Sequence, residues 1–140
     1  MDKTQFDTVL YIATDVRYWA EGRAEGDPQG NPRDLNGYCA IASAELFRQL
    51  TREGLKPEIH VWECPETADS HAFIVVDDHV VDVTATQFRE FADKSVVIMH
   101  VREAETWPYW NSSYSFSSVE ELIKRQKKDR WPARQIAYSA

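Results

Sequence analysis

The sequence predicts an α+β fold in which N-terminal helices pack on a mostly antiparallel sheet of about four strands. Apolar residues recur at three- and four-residue steps over residues 4–22 and again over residues 38–50, a spacing typical of amphipathic helices. The later segments are short, rich in β-branched residues and bounded by Pro, Asp or polar clusters, which is typical of strands. These expected strands are residues 57–63, 71–76, 80–84 and 95–101.

The remaining segments are expected to connect these elements. Residues 25–37 are dense in Gly, Pro, Asp and Asn, which favour turns, so a long loop is expected between the two helices. Further along, the sequence predicts a helical turn over residues 87–92, an aromatic loop over residues 107–114 and a helix over residues 119–128. Because no repeat or linker interrupts the sequence, we expect a single domain spanning residues 1–140.

Composition and charge exclude several classes of function. A formal net charge of −7 removes the attraction on which binding to nucleic acids and anionic membranes depends. No apolar stretch approaches the roughly 18 residues of a membrane-spanning helix, and the acidic N-terminal segment lacks the features of a secretory signal. We therefore expect a cytoplasmic protein with free thiols and with neither nucleic acid nor membrane as a partner. The oligomeric state stays open.

Cys39 is the first candidate catalytic residue. It follows a loop that ends in Gly37 and precedes an apolar helix, so its sulfur would face the positive end of the helix dipole, which lowers the pKa of a thiol. The N–H groups of a first helical turn are also free to bind an oxyanion. The alternative is that Cys39 is a small buried apolar residue, as most free cysteines are.

His71 and Asp82 are the candidate partners of this thiol. His71 heads a strand directly after a polar loop, where a side chain can reach a cleft and act as a general base. We expect Asp77 and Asp78 to form the turn of a hairpin. In that register Phe73 lies opposite Asp82, and His71 is the diagonal neighbour of Asp82 at about 7–8 Å. A carboxylate at that distance can orient an imidazole, whereas a slip of one residue would move Asp82 to the other face of the sheet.

The other histidines and the second cysteine are expected to have no catalytic role. Cys64 has no helix N-terminus to activate it, and the remaining histidines are ordinary core or surface residues: His60, His79 and His100. Together the histidines and cysteines lack the paired close spacing of structural zinc sites. We expect no metal and no cofactor.

Three short motifs occur in order between residues 37 and 88. They are Gly37-Tyr38-Cys39, His71-Ala72-Phe73 and Asp82-Val83-Thr84. This stretch, about a third of the chain, resembles the transglutaminase-like branch of the papain-like cysteine protease superfamily, in which G-x-C opens a helix, H-A-[FW] opens a strand and D-x-T begins the next. The resemblance implies a papain-like or transglutaminase-like fold.

The resemblance also implies acyl transfer by a Cys-His-Asp triad. In that chemistry Cys39 attacks an amide or ester carbonyl, His71 shuttles protons and Asp82 orients His71. Peptidase, glutamine deamidase and transglutaminase activities on a protein or peptide substrate all use it, and we lean towards hydrolysis.

The sequence departs from the papain-like pattern before the cysteine. Papain-like peptidases carry a glutamine six residues upstream as an oxyanion donor, and this chain has Arg33 there. The residues that we expect to supply oxyanion or substrate contacts instead are Asn36, Tyr38 and Gln87.

A catalytically inactive papain-like binding module is the alternative function. In that interpretation an aromatic surface loop grips a partner, as aromatic anchors do at many interfaces. The residues of this loop are Trp107, Tyr109, Trp110 and Tyr114. A reactive Cys39 would favour the enzyme, and an unreactive one with a binding defect in Trp110→Ala would favour the module.

Overall fold

The computed structural model describes residues 1–129, which form an α+β fold with four helices and an open five-stranded antiparallel sheet. The helices are α1 (Lys3–Glu25), α2 (Cys39–Arg52), α3 (Val101–Ala104) and α4 (Val119–Asp129). The strands are β1 (Glu58–Glu63), β2 (Ser70–Val76), β3 (His79–Asp82), β4 (Val97–His100) and β5 (Tyr114–Phe116). The predicted α+β class with an antiparallel sheet is confirmed. The single domain was expected to reach residue 140, and residues 130–140 lie outside the described part.

The sheet has the strand order β4-β3-β2-β1-β5, one strand more than expected. The additional strand, β5, pairs with β1, so that Ile59 lies opposite Phe116 and Val61 opposite Tyr114. Its three residues are too few to show the two-residue alternation by which strands are recognised, and they overlap the end of the predicted aromatic loop. Pairing with β1, rather than local sequence, therefore makes this segment a strand.

The β2–β3 hairpin has the predicted turn and register. Asp77 and Asp78 both have positive φ, 49° and 61°, as the two central residues of a tight hairpin turn require. Ile74 lies opposite Val81, and continuing this register by one residue sets Phe73 opposite Asp82. The face of the sheet on which Asp82 lies is therefore the one expected.

The two faces of the sheet are covered by different parts of the chain. Helices α1, α2 and α4 pack on one face, over strand residues that include Ile59, Val61 and Ile74. The other face carries a second core, here called the aromatic cluster, formed by Phe73, Val80, Ala85, Phe91, Val97, Ala104 and Trp110. The predicted helical turn forms the edge of this cluster as two short 3₁₀ turns, Ala85–Gln87 and Arg89–Phe91.

None of the helices formed by residues 1–129 is long and apolar enough to cross a membrane.

Candidate active site

Cys39 is the first residue of α2 and lies in the wall of a cleft. Gly37, two residues earlier, has a φ of 85°, which glycine adopts without the steric penalty of a side chain and which turns the loop into the helix. The side chain of Tyr38 makes no capping hydrogen bond to the helix. The N–H of Cys39 is one of the first-turn donors that an α-helix does not use internally, so it is available to an oxygen in the cleft.

His71 and Asp82 form a buried pair beside this helix end. His71 is fully buried and Asp82 is 2% exposed, and His71 Nε2 lies 2.5 Å from Asp82 Oδ2. This leaves Nδ1 as the ring nitrogen that can exchange a proton with another group.

Asp82 is surrounded by hydrogen-bond donors. Trp110 Nε1 donates to Oδ2 at 2.8 Å, and the backbone N–H of Thr84 donates to Oδ1, also at 2.8 Å. The hydroxyl of Thr84 donates to the same Oδ1 at 3.3 Å. Burial by itself would raise the pKa of Asp82, but the charge of His71 and these hydrogen bonds outweigh it and lower the pKa. Asp82 is thereby held as a carboxylate.

Asp82 in turn raises the pKa of His71. Burial by itself would lower this pKa, but the charge and hydrogen bond of Asp82 oppose burial, and a hydrogen bond and charge interaction with Cys39 act in the same direction. The result is a pKa of about 10. An imidazole with this preference for its protonated form can accept the proton of the Cys39 thiol and leave a thiolate beside it.

The cleft next to Cys39 has a volume of about 430 Å³ and a polar lining. Carboxamide and carboxylate side chains line it together with Cys39: Asn31, Asp34, Asn36, Asp69 and Gln87 among them. Such groups can hydrogen-bond the backbone of a peptide, and the volume of the cleft lies within the range of ligand-binding pockets.

The three expected oxyanion or substrate residues lie in different places. Asn36 is exposed and lines the cleft, as does Gln87. Tyr38 is buried and does not line the cleft; its hydroxyl donates to Asp27 Oδ2 at 2.6 Å. The structure therefore brings Asn36 and Gln87 to Cys39 and gives the Tyr38 side chain a contact within the preceding loop.

Gln87 makes a contact that the sequence did not predict. Its Nε2 lies 3.2 Å from His71 Nδ1 and 2.9 Å from the carbonyl oxygen of Thr84. The amide of Gln87 thus meets the ring nitrogen that Asp82 leaves free.

Trp110 and Thr84 bond to Asp82 in ways that the sequence analysis did not predict. Trp110 was assigned to an aromatic loop, and Thr84 was expected to continue strand β3, which instead ends at Asp82. Thr84 leaves the sheet because its N–H and hydroxyl turn back to the carboxylate of Asp82. An Asp-x-Thr sequence at a strand end is a weak signal for this turn, whereas no local signal marks Trp110.

Arg17, in the middle of α1, joins the segments on either side of the site. It is 5% exposed, and its guanidinium donates to the carbonyl oxygens of Arg33 (2.9 Å) and Val83 (3.0 Å) and to Thr86 Oγ1 (2.7 Å). Its Nε donates to Glu21 at 2.7 Å. One side chain therefore fixes both the loop that precedes Cys39 and the turn that follows Asp82.

The other histidines make local contacts outside the cleft. His60 Nδ1 lies 2.8 Å from Ser112 Oγ, His79 Nδ1 lies 2.8 Å from the carbonyl oxygen of Asp77, and His100 Nδ1 accepts from the N–H of Arg102 at 3.1 Å. Within residues 1–129, no group of three or more His, Cys, Asp or Glu side chains is placed to hold a metal ion.

Cys64 has an activating contact that the sequence did not suggest. A hydrogen bond with the side chain of Thr67 lowers its pKa. Cys64 is half-buried and does not line the cleft around Cys39. Both cysteines are free, so Cys64 is a second thiol that any labelling experiment must distinguish.

No protein-family model, curated protein or solved structure gives a significant match to this chain. The candidate chemistry therefore rests on the geometry of the residues themselves.

The Trp110–Asp82 hydrogen bond supports a first prediction. Trp110→Phe keeps an aromatic ring against Phe91, whose centroid is 4.8 Å away, but removes the donor to a buried carboxylate. Because hydrogen bonds to charged groups contribute about 1.5–3 kcal/mol, we expect the free energy of unfolding in urea to fall by about 2 kcal/mol.

Trp107→Phe is the matched control for this prediction. Trp107 contacts the same Phe91 ring at 4.8 Å but has no hydrogen bond to Asp82. Equal losses of stability in the two variants would show that ring packing, and not the bond to Asp82, accounts for the effect.

Proposed function

We propose that this chain is a thiol-nucleophile amide hydrolase or acyltransferase of papain-like or transglutaminase-like type, acting on a protein or peptide substrate. The observation that carries the proposal is that His71, fully buried, contacts Asp82 on one side and Cys39 on the other, at a cleft that Cys39 lines. Helix α2 carries Cys39 in its first turn. The adjacent antiparallel strands β2 and β3 carry His71 near the start of β2 and Asp82 at the end of β3. This arrangement supports the resemblance seen in the three sequence motifs.

The first half of the reaction forms an acyl-enzyme. The Cys39 thiol transfers its proton to His71 Nδ1, and the thiolate attacks the carbonyl carbon of the substrate amide. The carbonyl oxygen becomes an oxyanion, which the N–H of Cys39 stabilises. His71 then gives the proton to the leaving nitrogen, the C–N bond breaks, and a thioester remains on Cys39.

The second half returns the enzyme to its starting state. Neutral His71 removes a proton from water or from an acceptor amine, which attacks the thioester carbonyl. The C–S bond breaks, the acyl group leaves as an acid or a new amide, and the thiolate takes the proton back through His71. Asp82 remains a carboxylate throughout and holds the ring so that Nδ1 faces the sulfur. We favour water as the acceptor, and because the mechanism needs a free thiol we place the protein in the cytoplasm.

The aromatic loop is less suited to the alternative function of a binding module. Trp110 is 4% exposed and bonded to Asp82. Tyr109 stacks on Phe88 with ring centroids 3.8 Å apart, and Trp107 packs on Phe91. Trp110 is therefore engaged inside the fold, and Trp107 and Tyr109, both half-buried, already pack on neighbouring rings.

Alkylation of Cys39 by iodoacetamide between pH 5 and 9, mapped by mass spectrometry, tests the proposed function. A free cysteine has a pKa of about 8.5, so we expect Cys39 to react well below that pH and to lose this reactivity in His71→Ala. Cys64 serves as an internal reference, because its activation comes from Thr67 and not from His71.

The comparison between the two thiols decides the outcome. If His71→Ala leaves the rate at Cys39 unchanged, or lowers the rates at both cysteines equally, His71 does not activate Cys39 and the proposed function is wrong. A selective loss at Cys39 would justify a search for substrates among amide-bearing peptides.

A further inference from the structure

The amide of Gln87 contacts Nδ1 of His71, the ring nitrogen that Asp82 leaves free. Gln87 Nε2 is 3.2 Å from Nδ1, the other ring nitrogen is taken by Asp82, and Cys39 is close enough to raise the pKa of His71. Gln87 therefore contacts the ring nitrogen that would receive the proton of the Cys39 thiol.

The orientation of the Gln87 amide is fixed by a second contact. Nε2 lies 2.9 Å from the carbonyl oxygen of Thr84, and because a carbonyl oxygen only accepts, the group that faces it must be the NH₂. An NH₂ group has two hydrogens, so one goes to Thr84 and the other points to Nδ1 of His71. This second bond forms only when Nδ1 carries no proton.

The Gln87 bond therefore favours the neutral thiol and neutral imidazole over the thiolate and imidazolium. Protonation of Nδ1 would set an N–H against the Gln87 NH₂, two donors without an acceptor between them. Asp82 acts in the opposite direction, since its carboxylate favours the imidazolium. Two groups thus bias the same proton in opposite senses.

Gln87 is also placed so that a substrate can displace it. Its backbone belongs to the 3₁₀ turn Ala85–Gln87, which Arg17 ties to α1 through Thr86 at 2.7 Å. Its side chain is half-buried and lines the cleft beside Cys39. A peptide carbonyl that enters the cleft offers the NH₂ group an alternative acceptor, while the backbone stays in place.

We propose that Gln87 is a positioning residue that reduces the share of thiolate and imidazolium in the unliganded site and releases Nδ1 of His71 when a substrate carbonyl takes over its amide. This inference rests on the proposed function. On release, the proton moves from Cys39 Sγ to His71 Nδ1, and no other bond forms or breaks. The share of thiolate at Cys39 thereby rises when a substrate is present to receive it.

The pH profile of Cys39 alkylation in the unliganded protein tests this inference. Gln87→Leu and Gln87→Met both remove the donor to Nδ1 and replace the glutamine by an apolar side chain of similar size. One neutral hydrogen bond contributes about 0.5–1.5 kcal/mol, and about 1.4 kcal/mol corresponds to one pH unit. We therefore expect the midpoint of alkylation to move down by about 0.5–1 pH unit and the rate at pH 5.5 to rise about 3- to 10-fold.

Gln49→Leu is the matched control. Gln49 is a half-buried glutamine on α2 that donates to Glu45 at 3.1 Å and does not line the cleft, so its loss should leave the profile unchanged. If Gln87 only supported the packing around His71, both Gln87 variants would slow alkylation or move the midpoint up. An upward shift, or none, in either variant overturns the inference and leaves the proposed function standing, because the His71→Ala comparison tests that function separately.

Discussion

Asp82→Asn should slow the alkylation of Cys39 at pH 6 by about 10- to 100-fold, because it removes the charge that favours the imidazolium form of His71. The carboxylate accepts from His71 and Trp110 on one oxygen and from Thr84 on the other. An asparagine has a single carbonyl oxygen. Its NH₂ group must therefore face either His71 and Trp110 or Thr84, and a donor facing a donor makes no hydrogen bond. With a natural substrate, we expect turnover to fall by roughly 10²- to 10⁴-fold, the usual contribution of general acid–base catalysis.

The pH dependence of stability gives an independent measurement on the same variant. The pKa of His71 is about 10 in the folded protein and about 6.5 in an unfolded chain, so its contribution to stability is complete below pH 6.5 and is lost as the pH rises towards 10. The pKa of Asp82 is lowered, so its contribution is present above about pH 3.9 and is lost as the pH falls below that value.

Asp82→Asn should therefore be most destabilised, relative to the unaltered chain, between about pH 4 and pH 6.5. Breaking a buried ion pair from one side costs roughly 3–5 kcal/mol, and we expect a loss of this size in urea unfolding at pH 6, narrowing at pH 9.5. A loss that is the same at both pH values would mean that His71 and Asp82 do not form a charged pair.

Arg17→Met should lower the free energy of unfolding by about 3–5 kcal/mol, because several acceptors lose their donor and each unsatisfied buried group costs about 1–3 kcal/mol. The substitution leaves Glu21 without its partner at 2.7 Å and removes the donors to Val83, Thr86 and Arg33. Because those donors join the loop before Cys39 to the turn after Asp82, alkylation of Cys39 should also lose part of its dependence on His71. Urea unfolding and the alkylation assay measure the two effects separately.

Two control variants separate the charge of Arg17 from its geometry. Arg17→Lys keeps the charge but cannot make the planar set of hydrogen bonds, and we expect it to recover only part of the stability. Arg23→Met, on the exposed side of the same helix, should change stability by no more than about 0.5 kcal/mol. A loss in Arg23→Met as large as that in Arg17→Met would mean that helix α1, and not the buried guanidinium contacts, is the sensitive feature.

The elements that the sequence predicted well are those whose signal is local. The apolar periodicity of α2 and the β-branched run of β2 are properties of one segment each, and both elements lie within a residue or two of their expected bounds. The turn at Asp77 and Asp78 set the hairpin register, and that register brings His71 to Asp82. The main candidates of the site followed from these local patterns.

The residues that the sequence did not predict act across long separations in the chain. Trp110 reaches Asp82 over 28 residues, Arg17 reaches Val83 over 66, and β5 becomes a strand only by pairing with β1. Tertiary packing brings a buried tryptophan N–H or a guanidinium next to its hydrogen-bond acceptor. The periodicity of residues along the chain does not indicate which acceptor that is.

The sequence by itself thus determined the α+β class, the positions of α1, α2, α4 and the first four strands, and the placement of Cys39, His71 and Asp82 on neighbouring elements, because helix and strand periods depend on local side chains. Only the tertiary structure decided that Tyr38 points away from the cleft, that Gln87 meets His71, and that Arg17 and Trp110 support the site. These contacts depend on which buried donors and acceptors the fold brings together, and each must find a partner once water is excluded.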